Sequence, residues 1–305
     1  MANEFDIVVA GGGIAGLTAG LTAARLGRRT LILTGDVLGG NLLSIERIEG
    51  YPGFPEGVAG YELCPMAQAQ AAEAGAEFAP APLQALEGEA PDFRLVTGEG
   101  ELSARAVILA TGSQLKALGV PGEERLKGKG VSHCASCDAP LLRGMPVAVV
   151  GGGDSAMQET LTLAEHASRV IVLHRGAALS GQASYRERVL GHPNVEVRYR
   201  TVVEEILGED VVSGARVRAA QGSDVLEAAA VFVYIGLAPN ISFLEGGVRR
   251  DATGRITTDT SMATERRGLF AAGSVRSGWP GRAVASAGEG TAAAVAADRY
   301  LNEIA

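Results

Sequence analysis

Apolar residues along this chain come in short, nearly unbroken runs that end in glycine. Residues 5–10 (FDIVVA) lead straight into Gly11-Gly12-Gly13-Ile14-Ala15-Gly16. An alanine- and leucine-rich stretch continues to about Arg25, and residues 30–33 (TLIL) are apolar again. Short apolar runs bounded by turn formers predict buried strands, and the longer alanine-rich stretch predicts a helix. The unit therefore reads strand, turn, helix, strand, with G-x-G-x-x-G at the turn. In that context Gly11 permits the turn, Gly13 lets a pyrophosphate approach the backbone, and Gly16 lets helix and strand pack closely. The free N–H groups and positive dipole end of the helix then face the phosphates.

The pattern occurs a second time. Residues 146–150 (PVAVV) run into Gly151-Gly152-Gly153-Asp154-Ser155-Ala156, and a helical stretch reaches about His166. Residues 170–173 form the next predicted strand, before His174-Arg175. Between the two fingerprints, residues 83–109 predict a small meander of short strands, and a second such stretch runs from about 195 to 235. Residues 268–273 (GLFAAG) precede a glycine- and alanine-rich helix. The expected fold is α/β, with two Rossmann-like dinucleotide-binding domains, the second inserted into the first. The first spans 1–114 and 243–305 and the second 117–241, with linkers near 114–117 and 241–245.

Composition narrows the function. The chain has 305 residues, which favours two domains. Its 27 basic and 35 acidic residues leave a net charge of −8, which disfavours nucleic acid or an anionic membrane as partner. No run approaches the roughly 18 apolar residues of a membrane span. No basic region precedes the first apolar run, so we expect no secretory leader and a cytoplasmic setting. Glycine is 42 of 305 residues, about twice usual usage, and it clusters at turns rather than in a repeat.

Three cysteines are too few for a disulfide-stapled fold. Cys134 and Cys137 form a CxxC, which in this setting means redox chemistry or half a metal site. A dithiol at that spacing closes a small ring, and its thiolate is favoured at a helix N-terminus or beside a cation. Asp138 follows directly, placed to shuttle the proton that moves when thiol and thiolate exchange roles. The zinc alternative would add His133, but the chain has no second CxxC or HxxxH, so we expect no metal. Cys64 reads as a small buried hydrophobe. His133 either biases the thiolate or simply packs, and His166 and His192 read as surface residues.

The motif order resembles that of the low-molecular-weight thioredoxin reductases, among the flavoprotein disulfide reductases. The matching stretches are GGGIAG at 11–16, GGNL at 39–42, YPGFP at 51–55, ATGS at 110–113 and CASCD at 134–138. GGGDSAMQE at 151–159, IGLAPN at 235–240, GLFAAGS at 268–274 and RAVASAGEG at 282–290 complete the set. The resemblance implies FAD on the first domain, NADPH or NADH on the inserted one, and a homodimer. It implies FAD contacts from Gly11, Gly13, Ile14, Ala15, Gly16, Gly40, Asn41, Leu42, Thr111 and Gly112. Gly273, Ser274 and the backbone of Arg282, Ala283 and Val284 would meet the flavin end. Gly151, Gly153, Asp154, Ser155, Ala156 and Arg175 would meet the nicotinamide cofactor. It further implies a redox disulfide between Cys134 and Cys137, with Cys137 nearer the flavin, Cys134 attacking the partner and Asp138 as acid. The partner would be a thioredoxin-like protein or a small dithiol or disulfide.

The chain departs from that family at three places. NADPH-dependent members follow the second Rossmann strand with HRRxxxR, whereas here only Arg175 remains, with Gly176 and Ser180 at the other two positions. No Asp or Glu ends that strand either, as an NAD-preferring site requires. The donor is therefore open: NAD(P)H, a reduced ferredoxin or a second flavin. Electron flow could also be reversed, oxidising a small dithiol, and a redox-silent flavin scaffold is a further class. Ser274 stands where the family has Asp, and Ala283 where it has Gln. Nearby Trp279, the only tryptophan, could stack on the flavin, cap a substrate groove or anchor an exposed loop.

Overall fold

The first apolar run becomes β1 (Glu4–Ala10), and Gly13 caps helix α1 (Ile14–Arg25), which returns the chain to β2 (Thr30–Leu33). The computed structural model describes residues 4–244 and 246–305, so residue 245, at the end of the second expected linker, lies outside it. The chain divides into two units. The first runs to Gln114 and again from Ala238 to Ala305, and the second from Leu115 to Leu237.

In the first unit β1 pairs in parallel with β2 and with β6 (Gly100–Leu109). Helix α2 (Gly60–Glu73) leads to β3 (Glu77–Ala79), which extends the sheet beside β2. The meander predicted at 83–109 is β4 (Leu83–Glu87), β5 (Phe93–Thr97) and β6, antiparallel to one another. Strand β6 is long enough to pair with β5 through Gly100–Ala104 and with the returning C-terminal segment through Val107–Leu109. Both faces of this sheet are buried, which explains the unbroken apolar runs. Ile7 and Val9 pack under the helix layer with Ala15, Ala19 and Ala293, while Val8 and Ala10 pack on the other face with Leu31, Leu33 and Phe243.

Strand β7 (Ser113–Leu115) carries the chain into the second unit. Its parallel sheet has the order β11–β10–β9–β15–β8, and every pairing in it is parallel. The strands are β8 (Val131–Ser132), β9 (Pro146–Gly151), β10 (Arg169–His174), β11 (Val195–Tyr199) and β15 (Ala230–Tyr234). Helices α3 (Ala135–Asp138), α4 (Asp154–Ala164) and α5 (Ala183–Gly191) join them.

The stretch 195–235 is not one meander, as its strand density predicts. Only β12 (Val202–Leu207), β13 (Gly214–Ala219) and β14 (Gly222–Glu227) form the antiparallel sheet. The flanking β11 and β15 join the parallel sheet instead. All five residues of β15 are buried, the mark of a central strand rather than a half-exposed hairpin arm. Strand β16 (Leu237–Pro239) returns the chain to the first unit, which ends with β17 (Leu269–Ala271) and helix α6 (Ala283–Glu303). Among the described residues no helix is long and apolar enough to cross a membrane.

Candidate active site

In the first unit the segments expected to bind FAD, 11–16, 39–42, 110–113 and 273–274, are linked by a backbone bridge, hydrogen bonds and close contacts. Gly11 has φ +119°, and a Cβ there would lie 2.2 Å from the carbonyl oxygen of Ala110. A Cβ on Gly16 would lie 1.8 Å from the Gly11 oxygen, so helix and strand meet where only glycine fits. Gly13 is the exception: a Cβ there would meet nothing within 4 Å. No side chain caps α1 and no acid sits in its first turn, and an uncapped helix N-terminus of this kind suits an anion. That open cradle fits the diphosphate of a dinucleotide.

The second wall comes from residues 39–44. Gly39 bridges to Gly13, and Gly40 opens a 3₁₀ turn, Gly40–Ser44, that also holds Leu42. Asn41 donates through Nδ2 to the Ser113 oxygen at 2.6 Å. Thr111 donates to the Asn240 oxygen at 2.7 Å, and Asn240 returns Nδ2 to the Thr111 oxygen at 3.1 Å. Ser274 Oγ is 3.8 Å from the position of a Cβ on Gly112, which puts the third segment beside the second. The amide of Gly273 donates to Glu289 Oε2 at 2.8 Å, and Glu289 is paired with Arg276. Side-chain exposures of 15% for Arg276 and 10% for Glu289 make this a nearly buried ion pair. Sequence reasoning missed both residues. Its only signal was a charged residue inside an alanine-rich helix.

Arg282 caps α6, and Ala283 and Val284 begin it. Trp279 is half-buried, and its indole N–H donates to Ser286 Oγ at 2.8 Å. This bond ties the Trp279 loop to α6.

In the second unit Gly151 has φ +153°, and Gly153 caps α4 as Gly13 caps α1. Ala156 is buried behind the turn, whereas Ser155 is exposed. Asp154 accepts the Gln182 amide at 2.6 Å. Ser180 donates to the Gly152 oxygen from its amide at 2.8 Å and from Oγ at 3.1 Å. Its side chain therefore closes the loop rather than reaching out. A Cβ on Gly153 would find only Ser180 Oγ, at 4.0 Å, so this turn also leaves room for a phosphate. Arg175 is exposed at the end of β10.

The same unit carries the cysteines. Cys134 caps α3 in an extended conformation, its amide held by Ser132 Oγ at 3.1 Å. Cys134 and Cys137 are joined by a disulfide, so neither sulfur is available as a metal ligand. Cys137 is the more exposed, and Asp138 ends the helix. The first amide of the helix, on Ala135, donates to Glu159 Oε2 of α4 at 3.2 Å, and the Tyr234 hydroxyl lies 3.5 Å from the same oxygen. Burial first, then the Glu159 charge, pushes the Tyr234 phenol far above its ordinary range, and Asp138 adds in the same direction. Tyr234 therefore stays protonated beside Glu159. His133 lies with Nδ1 2.9 Å from the Val233 oxygen, and because a carbonyl only accepts, Nδ1 carries the proton.

The remaining candidates resolve simply. His166 is not a free surface residue, because its Nδ1 is buried without a partner. His192 is half-buried and accepts the Asn194 amide at 3.2 Å. Cys64 is buried, with its thiol pushed up to about 11 by burial. At pH 8 its thiolate fraction is on the order of 10⁻³. We expect iodoacetamide to label Cys134 and Cys137 in the reduced native protein while Cys64 stays unmodified, as read by peptide mass spectrometry. Equal labelling of all three would contradict the burial of Cys64.

Comparison with known proteins places this geometry. Residues 5–290 match the family described as pyridine nucleotide-disulphide oxidoreductase. The chain is 36% identical over 306 residues to thioredoxin reductase of Treponema pallidum, covering 100% of this chain and 99% of that one. It superposes on thioredoxin reductase of Lactococcus lactis, in its FR conformation, with a TM-score of 0.95 and 31% identity, over 98% of this chain and 99% of that one. Against the T. acidophilum thioredoxin reductase the TM-score is 0.93 at 31% identity, over 99% of this chain and 100% of that one. Full-length similarity, both glycine turns and the paired cysteines agree: the chain belongs to the pyridine nucleotide-disulphide oxidoreductases and, within them, to the thioredoxin reductase family of flavoprotein disulfide oxidoreductases.

Proposed function

We propose that the first unit holds FAD against residues 11–16, that the second holds a nicotinamide dinucleotide against residues 151–156, and that Cys134 and Cys137 deliver the electrons to the disulfide of a thioredoxin-like protein. FAD supplies the two-electron link between a hydride donor and a disulfide. The chain supplies the rest. On accepting two electrons and two protons the Cys134–Cys137 bond opens to two thiols. Cys134 Sγ, as thiolate, attacks one sulfur of the partner disulfide and expels the other. Cys137 Sγ then attacks Cys134 Sγ, which closes the original bond and releases the partner as a dithiol. Asp138, one residue beyond Cys137, takes up and returns the proton that moves when thiol and thiolate change places. A reducing, cytoplasmic compartment suits such a dithiol, and we assign the working state to a homodimer.

The observation that carries this reading is the disulfide on a helix whose first amide is held by Glu159, a residue of the second fingerprint helix. The test is anaerobic. The purified yellow protein is mixed with NADPH, NADH or a chemical reductant while the flavin absorbance is followed. Bleaching by a nicotinamide cofactor, followed by reoxidation with thioredoxin, is the expected result. Bleaching by the chemical reductant alone would overturn the nicotinamide donor and leave ferredoxin, a second flavin or a dithiol substrate as the electron source.

A further inference from the structure

The second unit is rich in arginine, and its strand arginines are neutralised in pairs. Arg169 and Arg198 share Glu196, Arg198 also meets Asp224, Arg216 meets Glu205 and Arg218 meets Glu204. Arg175 and Arg200 differ. Both are exposed, and among the described residues neither has a carboxylate partner. The chain carries 35 acidic residues against 27 basic ones, so carboxylates are not scarce.

These two unpaired cations are neighbours. In the parallel pairing of β10 with β11, His174 stands opposite Tyr199, so the next residues on the two strands are Arg175 and Arg200. The Arg200 amide donates to the Gly176 oxygen and the Thr201 amide to the His174 oxygen, each at 3.0 Å. The two bonds bracket Arg175 from either side and hold the pair together. Arg200 also has φ +49°, the left-handed region that glycine and asparagine enter with least strain. Backbone strain of this kind clusters at ligand clamps, and an anion between the two guanidiniums would relieve the repulsion of their like charges. Both residues lie at the carboxyl ends of parallel strands, where α/β sheets bind their ligands.

We infer that Arg200, with Arg175, forms a phosphate site at the β10–β11 edge that recognises the 2′-phosphate of a phosphorylated nicotinamide dinucleotide, and so makes NADPH the preferred donor. The inference rests on the nicotinamide reading above. It assigns to the end of β11 a charge that the loop after β10 lacks, since Gly176 has no side chain and Ser180 is turned onto the Gly152 oxygen. Arginine suits the role because its planar fork meets two phosphate oxygens at once.

The experiment is calorimetric titration of the flavin-loaded full-length protein with adenosine 2′,5′-bisphosphate and with 5′-AMP. Arg200→Gly is the informative variant, because glycine keeps the left-handed backbone while removing the guanidinium. The wild-type protein is expected to bind the bisphosphate more tightly, and less so as salt rises. Arg200→Gly should weaken bisphosphate binding roughly 10- to 100-fold, leave 5′-AMP affinity in place and not lower the unfolding temperature. Unchanged bisphosphate affinity, or equal loss for both nucleotides, would overturn the role of Arg200 while flavin bleaching by NADH or NADPH still upheld the donor reading. If wild type binds neither nucleotide and neither cofactor bleaches the flavin, both readings fall together.

Discussion

Replacing Cys137 with serine is expected to lower disulfide turnover by at least three orders of magnitude, on the order of what removing a nucleophile costs other enzymes. Serine keeps the shape but cannot close a disulfide, so the two electrons have no sulfur pair to occupy. Folding should be unaffected, because Cys137 is exposed and α3 is held elsewhere, by Ser132 Oγ on the Cys134 amide and Glu159 on the Ala135 amide. The yellow colour should remain, since every residue of the expected FAD cradle belongs to the other unit. The same variant separates the two sulfurs. If Cys134 attacks the partner, Cys137→Ser leaves a mixed disulfide with no thiol to resolve it, and a covalent complex with thioredoxin accumulates. Cys134→Ser should also stop turnover but trap no complex. The opposite pattern of trapping would exchange the two roles. Turnover that survives either substitution would remove the dithiol mechanism altogether.

Much of this architecture is legible in the sequence because its strands are buried on both faces. Such strands leave apolar runs that end in glycine, and both fingerprints sit directly after one. Gly11 and Gly16 could be given their jobs in advance, since the turn and the helix–strand contact are local. What could not be read depends on partners far apart in the chain. Strands β11 and β15 look like members of a meander until they are found beside β10 and β9. Glu289 and Arg276 are ordinary charges in the sequence, and only folding brings them together under Gly273. Glu159 lies 24 residues from the helix amide it holds. Arg200 carries no local mark at all: its left-handed backbone and its place beside Arg175 exist only once β10 and β11 have paired. Spacing thus picked out the cysteine pair and the glycine turns. The side chains that hold and charge those sites were set by tertiary contacts.

Two glycines in α6 should respond to alanine in opposite directions, although they are two residues apart in one helix. In an exposed helix interior, alanine is better than glycine by up to about 1 kcal/mol. Gly288 meets that condition: it is exposed, and a Cβ there would find nothing within 4 Å. Gly288→Ala is therefore expected to raise stability by roughly 0.4–1 kcal/mol. Gly290 faces α1 instead. A Cβ there would lie 2.1 Å from the Ala15 oxygen and 2.5 Å from Thr18 Oγ1. That oxygen belongs to the backbone of α1, and Thr18 is itself fixed by a bond of 3.0 Å to the Ala287 oxygen of α6. Neither neighbour can yield without driving the two helices apart. Gly290→Ala is expected to cost about 2–3 kcal/mol, a fall of roughly 5–10 °C in the unfolding temperature. The displaced element would be the start of α1, the helix end assigned to the FAD diphosphate. Loss of stability should therefore come with release of flavin, read as free yellow cofactor after gel filtration. An unfolding temperature raised by both substitutions would mean that α1 and α6 do not make this close contact, and the cradle geometry built on it would fail with it.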